Sequence, residues 1–155
     1  MKSVLFVCTG NICRSPTADG VFRQMVAAAG LAGRVRVDSA GTHGYHIGDP
    51  PDPRTVRAAA TRGYDLSPLQ ARKLMAADFD RFDLLLAMDR GHLDIMRRMA
   101  PSGGTAELAL FTAWAPAPFT NRDVPDPYYG GDAGFTEVLD MVEAGARALL
   151  RRVVD

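Results

Sequence analysis

The stretch Lys2-Ser3-Val4-Leu5-Phe6-Val7-Cys8-Thr9-Gly10-Asn11-Ile12-Cys13-Arg14-Ser15-Pro16 decides how this chain is read. Its first half is a β-branched and aromatic run that stops at a Gly/Asn turn, the pattern of a buried strand whose C-terminal end opens into a loop. Ser15-Pro16 then reads as a helix start, with Ser as the cap and Pro in the first helical position. Ala18, Val21, Phe22, Met25, Val26 and Ala29 recur at helical spacing, and Gly30 ends the run. Strand, tight loop and helix follow one another, and α/β proteins bind ligands at the C-terminal ends of strands.

Outward from there the alternation continues. Residues 35–39 read as a second strand, and the Gly/Pro-rich residues 41–53 as a surface loop leading to a helix capped by Asp52 and closed by Gly63. Residues 82–88 are apolar but for Asp83, as expected of a strand in a parallel sheet covered on both faces. Asp89 caps a helix that sends Leu93, Met96 and Met99 to the core, and residues 106–111 give a fourth strand. Residues 112–133, rich in Pro, Asp, Tyr and Gly, carry no hydrophobic period, and so long a loop inside a compact domain is commonly functional. A last amphipathic helix carries Phe135, Val138, Leu139, Val142, Ala146, Leu149, Leu150 and Val153 on one stripe. The expected fold is α/β: a three-layer sandwich around a four-stranded parallel sheet, with a phosphate-binding loop between the first strand and first helix. With neither repeat nor linker, residues 1–155 read as one domain.

Composition agrees with that. At 155 residues and 47% hydrophobic content the chain can build a single core without disulfides or a structural metal. With 18 Lys+Arg against 18 Asp+Glu there is no overall field to attract nucleic acid or an anionic bilayer, so any anion site must be local. Apolar runs such as residues 84–88 are far short of a membrane span, and Met1-Lys2-Ser3 leads into a strand with no signal-peptide core, so a cytoplasmic location is expected. Cys8 and Cys13 cannot form a disulfide framework, and neither they nor His43, His46 and His92 have the spacing of a metal site. No metal and no cofactor is expected.

The loop places a thiol at a strand end, Arg14 after a tight turn, and then a helix N-terminus. Gly10, and Asn11 in a position tolerant of left-handed backbone, let such a loop curl until its N–H groups form an anion nest. Thr9, Gly10, Asn11, Ile12, Cys13 and Ser15 make up that nest, and Arg14 adds a planar fork that matches two phosphate oxygens. The same donors favour the Cys8 thiolate. Ionisation alone achieves little: a free thiol is ~3% ionised at pH 7, so full ionisation gains about 30-fold, and the lower basicity costs a similar factor. Acceleration must come from holding a phosphoryl group in line and stabilising its equatorial oxygens, with Arg14 contributing most. Ser15, adjacent to the sulfur, is placed to ease departure of the thiolate. A Cys, five residues, Arg and Ser/Thr arises by chance in roughly one chain of this size per hundred, but here it also sits between strand and helix. A nucleotide P-loop is excluded, because no Gly-Lys-Ser/Thr follows the glycine.

Residues 8–15, the strand before them, Asp38-Ser39-Ala40-Gly41-Thr42, Pro51-Asp52-Pro53-Arg54, Met88-Asp89 and Asp126-Pro127-Tyr128-Tyr129 together resemble the low-molecular-weight protein tyrosine phosphatases, nearly end to end. The resemblance nominates Asp126 as the acid that protonates the leaving tyrosine oxygen and then, as carboxylate, activates water against a Cys8 phosphoenzyme. It implies Tyr128 and Tyr129 as aromatic walls, Tyr45 and His46 as a variable wall that selects substrates, and an Asn11–Ser39 hydrogen bond that holds the loop in shape. Asp89 would brace the site from the third strand end. Many relatives carry a histidine near residues 67–69, which this chain lacks. Cys13 lies in the same curled loop as Cys8, so a protective disulfide is conceivable under oxidation.

Three rivals share the scaffold. A thiol-coupled arsenate reductase relays oxidation through later cysteines, and none follows Cys13. Protein arginine phosphatases tend to carry Thr at the position of Ile12 and to lack the paired tyrosines. A silent phosphate-binding module would lack nucleophile or acid, whereas Cys8 and Asp126 are both present. The expectation is metal-independent hydrolysis of aryl phosphates on tyrosine-phosphorylated proteins through a phosphocysteine, without nucleic-acid or membrane partners and with the oligomeric state open.

Overall fold

The structure, a computed structural model, describes residues 2–128 and 131–154. In β1 (Lys2–Cys8), Val4, Phe6 and Cys8 enter one apolar cluster and Leu5 and Val7 another. Side chains alternate across a strand, so a strand apolar on both sides must be covered on both faces. β1 accordingly lies inside the sheet, paired in parallel with β2 (Val35–Gly41) on one side and β3 (Leu84–Ala87) on the other. β4 (Glu107–Leu110) follows β3 in parallel, giving the order β2-β1-β3-β4.

Helices cover both faces. α1 (Arg14–Ala28) and α5 (Asp132–Val154) contribute Phe22, Val26, Val138 and Val142 to the cluster that holds Phe6 and Cys8. Phe6 meets Phe22 and Phe111 edge to face, at 5.8 and 5.6 Å between ring centroids. On the opposite face the short α3 (Asp78–Arg81) and α4 (Arg90–Met99) supply Phe79, Leu93 and Met96. α2 (Pro53–Ala60) begins where expected, with the Asp52 carboxylate accepting from Arg54 N–H at 2.8 Å. Connections from β1 run to β2 on one side while β3 lies on the other, which opens a crevice beyond the C-terminal end of β1.

Several local expectations are corrected. Ser15 is not the cap of α1: the helix starts at Arg14 behind Cys13 and no side chain caps it, because the Ser15 hydroxyl is engaged by Asn11 and Cys8. β2 runs on to Gly41, since Thr42 N–H and His43 N–H continue the pairing onto the carbonyls of Cys8 and Thr9. A Cβ on Gly41 would stand 2.7 Å from the Thr9 carbonyl oxygen, so only glycine lets the loop backbone pass. β3 is shorter than its apolar run, because Phe82 closes α3 and Asp83 N–H turns to Ser3. β4 is shortened likewise, Phe111 opening a 3-10 turn (Phe111–Trp114). Residues 115–128 are irregular, and this loop is pinned by Thr112 Oγ1 donating to the Arg122 carbonyl at 2.6 Å and Val124 N–H donating to the Met88 carbonyl at 2.8 Å.

Candidate active site

The loop between β1 and α1 turns its carbonyls outward. Those of Cys8, Thr9, Ile12 and Cys13 accept from the N–H groups of Thr42, His43, Asp52 and Thr17 at 2.8, 3.0, 2.9 and 3.2 Å. A planar trans peptide directs its N–H opposite to its C=O, so the N–H groups of Thr9, Gly10, Cys13 and Arg14 face the other way, into the bend. Among the described residues, no backbone N–H of residues 9–15 has an acceptor. These donors and the N-terminus of α1 converge on one anion cup.

Asn11 sets the curl. Its φ of 58° is left-handed, where asparagine is tolerated better than most residues. Its Nδ2 donates to Ser15 Oγ at 2.7 Å and Ser39 Oγ at 3.0 Å, and its Oδ1 accepts from Arg72 N–H at 3.0 Å. Ser15 Oγ in turn lies 2.9 Å from Cys8 Sγ, at the floor of the cup.

Arg14 is buried, and its hydrogen bonds run through Nη1. Its Nη1 donates to Asp89 Oδ2 at 2.8 Å and to the Val124 carbonyl at 3.1 Å. Its Nη2 stands 3.6 Å from Asp126 Oδ2. Burial pushes the Asp89 carboxyl up, but His92 N–H and the Arg14 guanidinium outweigh it and hold the group below its ordinary value, as an anion that orients Arg14. Asp126 is more open and accepts from Tyr128 N–H at 3.0 Å through Oδ1.

A cleft of about 210 Å³ joins these parts: Cys8, Thr9, Gly10, Ile12, Cys13 and Arg14 form its base, and Tyr45, His46, Asp126 and Tyr128 its mouth. Tyr45 is exposed and stacks on His43, 5.0 Å between ring centroids. His46 leans over Gly10, where a Cβ would stand 3.0 Å from its Cδ2, and its Nδ1 is 3.5 Å from Asp49 Oδ2. Asn11, Ser15 and Ser39 lie behind the base and support it. Tyr129 lies outside the described residues. Burial, seconded by the Asp52, Cys8 and Asp126 charges and opposed by Thr55, pushes the Cys13 thiol up to about 12, so it stays protonated. Among the described residues no group of three or more His, Cys, Asp or Glu side chains is placed to hold a metal ion.

Four supports went unread in the sequence. Arg72 donates its N–H to Asn11 and clamps Asp38 and Asp78 with its guanidinium. Arg54 donates to the Tyr128 carbonyl at 2.8 Å and lies over the Tyr128 ring. The Val124 carbonyl holds Arg14, and His92 reaches Thr9. His92 left a signal as a polar residue in the first turn of a helix that starts beside the end of β1, and Arg54 stood in the Pro51–Arg54 motif without an assigned role.

The fold and the cup define a class: parallel α/β proteins whose loop after the first strand gathers unpaired N–H groups at a helix N-terminus, here beside a cysteine. Residues 3–155 match the family model described as low molecular weight phosphotyrosine protein phosphatase. A low molecular weight protein-tyrosine-phosphatase of Streptomyces coelicolor is 50% identical over 152 residues, covering 97% of this chain and 92% of the relative. The crystal structure of an Entamoeba histolytica protein tyrosine phosphatase superposes with a TM-score of 0.94 at 33% identity, covering 99% of this chain and 97% of that one. That of YfkJ from Bacillus subtilis gives 0.91 at 38% identity, covering 99% and 95%. The chain belongs to the low molecular weight phosphotyrosine protein phosphatase family. It is accordingly an enzyme, a phosphatase of the hydrolase class.

Proposed function

We propose that the chain hydrolyses phosphotyrosine through a covalent phosphocysteine on Cys8. The phosphoryl oxygens sit among the N–H groups of residues 9–15 and the Nη2 edge of Arg14. Cys8 thiolate attacks phosphorus opposite the phenolic oxygen, so the S–P bond forms as the P–O bond breaks, and Asp126 gives its proton to the departing phenol. The Asp126 carboxylate then takes a proton from water as the water oxygen bonds to phosphorus, and the S–P bond breaks. The Ser15 hydroxyl stabilises the released thiolate, and inorganic phosphate leaves. Tyr128, Tyr45 and His46, which line the same cleft, give the phenyl ring its walls.

One observation carries this reading: the loop with outward carbonyls and unpaired N–H groups follows Cys8 directly and lines one cleft with Cys8, Arg14 and Asp126. The deciding experiment is hydrolysis of p-nitrophenyl phosphate in chelator by the wild type and Cys8→Ser. The serine variant is expected to be inactive, and undiminished activity overturns the mechanism. The same reading treats residues 1–155 as one phosphatase domain acting on tyrosine-phosphorylated proteins in the cytoplasm. Among the described residues no helix is long and apolar enough to cross a membrane.

A further inference from the structure

His92 is a buried titratable side chain, 3% exposed, that the two chemical steps leave unused. Its backbone N–H donates to Asp89 Oδ1 at 2.9 Å at the start of α4, and its Nε2 reaches across to Thr9 Oγ1 at 2.8 Å. Its Nδ1 stands 3.1 Å from Asp89 Oδ1, without the alignment of a hydrogen bond. The other oxygen of that carboxylate holds Arg14. One helix turn therefore grips both ends of the phosphate loop, Thr9 by an imidazole and Arg14 by a carboxylate, through a single shared aspartate.

Burial and then the Arg14 charge push the imidazole down to about 4, so near neutral pH it carries one ring proton. The Asp89 carboxylate favours that proton on Nδ1, leaving the Nε2 lone pair to accept the Thr9 hydroxyl. With its carbonyl bonded to His43 N–H as well, Thr9 is held by side chain and main chain alike. We infer that His92 is a positioning residue for phosphate recognition: it fixes Thr9 so that the peptide N–H groups at the start of the loop stay aimed at the phosphate that Arg14 holds from the far end. The inference rests on the loop receiving the substrate phosphate.

The test is a double-variant cycle, Thr9→Val, His92→Ala and both together, read by inhibition with inorganic phosphate and orthovanadate and by kcat and KM on p-nitrophenyl phosphate. Each single variant is expected to weaken phosphate inhibition and kcat/KM about tenfold, the scale of one well-placed hydrogen bond, and the double variant to lose no more than either. His92→Gln, whose amide oxygen can accept from Thr9, is expected to recover most of the affinity. Thr9→Val alone decides the matter if His92→Ala does not fold, since it removes one hydroxyl without opening the core. A Thr9→Val enzyme that binds phosphate like wild type, or losses that multiply in the double variant, overturns the inference. An inert Cys8→Ser alongside either result leaves the hydrolytic mechanism standing, whereas an active Cys8→Ser removes that mechanism instead.

Discussion

Ser15 Oγ stands 2.9 Å from Cys8 Sγ while accepting the Asn11 side-chain N–H at 2.7 Å, so against a Cys8 thiolate, which can only accept, the one proton this hydroxyl carries is directed at sulfur. A hydrogen bond to a charged group contributes about 1.5–3 kcal/mol. Ser15→Ala is therefore expected to slow breakdown of the phosphoenzyme about 10- to 100-fold, with a smaller effect on its formation. In rapid-quench experiments the burst of phenol should persist while the steady state falls. Burst and steady state falling together would assign the proton to formation rather than release.

Asp126 sits at the open mouth of the cleft, 3.6 Å from Arg14 Nη2. If it protonates the leaving oxygen, Asp126→Asn slows phenol release most for substrates with poor leaving groups and least for activated ones, by a factor of about 10² to 10⁴ at the poor end. A series of substituted phenyl phosphates checks this, and equal slowing across the series removes the acid role.

His92 ties stability to acidity. Its folded value is pushed down from 6.5 to about 4 by burial, so between those limits the unfolded chain binds the proton and the folded chain does not. The contribution is fully present above about 6.5 and is lost as pH falls towards 4, a swing of about 3 to 4 kcal/mol at ~1.4 kcal/mol per unit. Urea unfolding of wild type and His92→Gln across this window should show the steeper loss only in wild type. Parallel profiles would mean the imidazole is protonated in the fold.

Cys13 shares the cleft base with Cys8, and its thiol is pushed up to about 12 by burial. Thiolate is the attacking species. After mild peroxide converts Cys8 to its sulfenic acid, attack by Cys13 sulfur forms the disulfide and releases water. The rate should rise steeply from about pH 6 to about pH 9 as the minor thiolate fraction grows. Non-reducing peptide maps follow it, and Cys8 recovered as sulfonic acid with Cys13 free would end the protective role.

How far such a site can be read from residues alone depends on what brings its parts together. β1, the curl at Asn11 and the cap at Asp89 are local, written in strand composition, a left-handed-tolerant residue and a carboxylate ahead of a helix. Ser15 obeyed the same local rule and misled, because the hydroxyl that matches a cap is spent on sulfur. The supports from Arg72 and His92 arise from sheet register, which sets Val7 beside Ala87 and Gly41 beside Lys73. Nothing in the spacing of residues 9, 72 and 92 marks them as neighbours. Arg54 was visible as part of a motif, but its grip on Tyr128 depends on the path of an irregular loop.

The guanidinium of Arg14 leans on a main-chain oxygen 110 positions further along the polypeptide. During synthesis the Cys8 thiol is therefore made well before Val124 and Asp126. A nascent or truncated polypeptide that stops short of Val124 thus carries the thiol without this support for the cation or the nominated proton donor, and is expected to be silent until that loop is made.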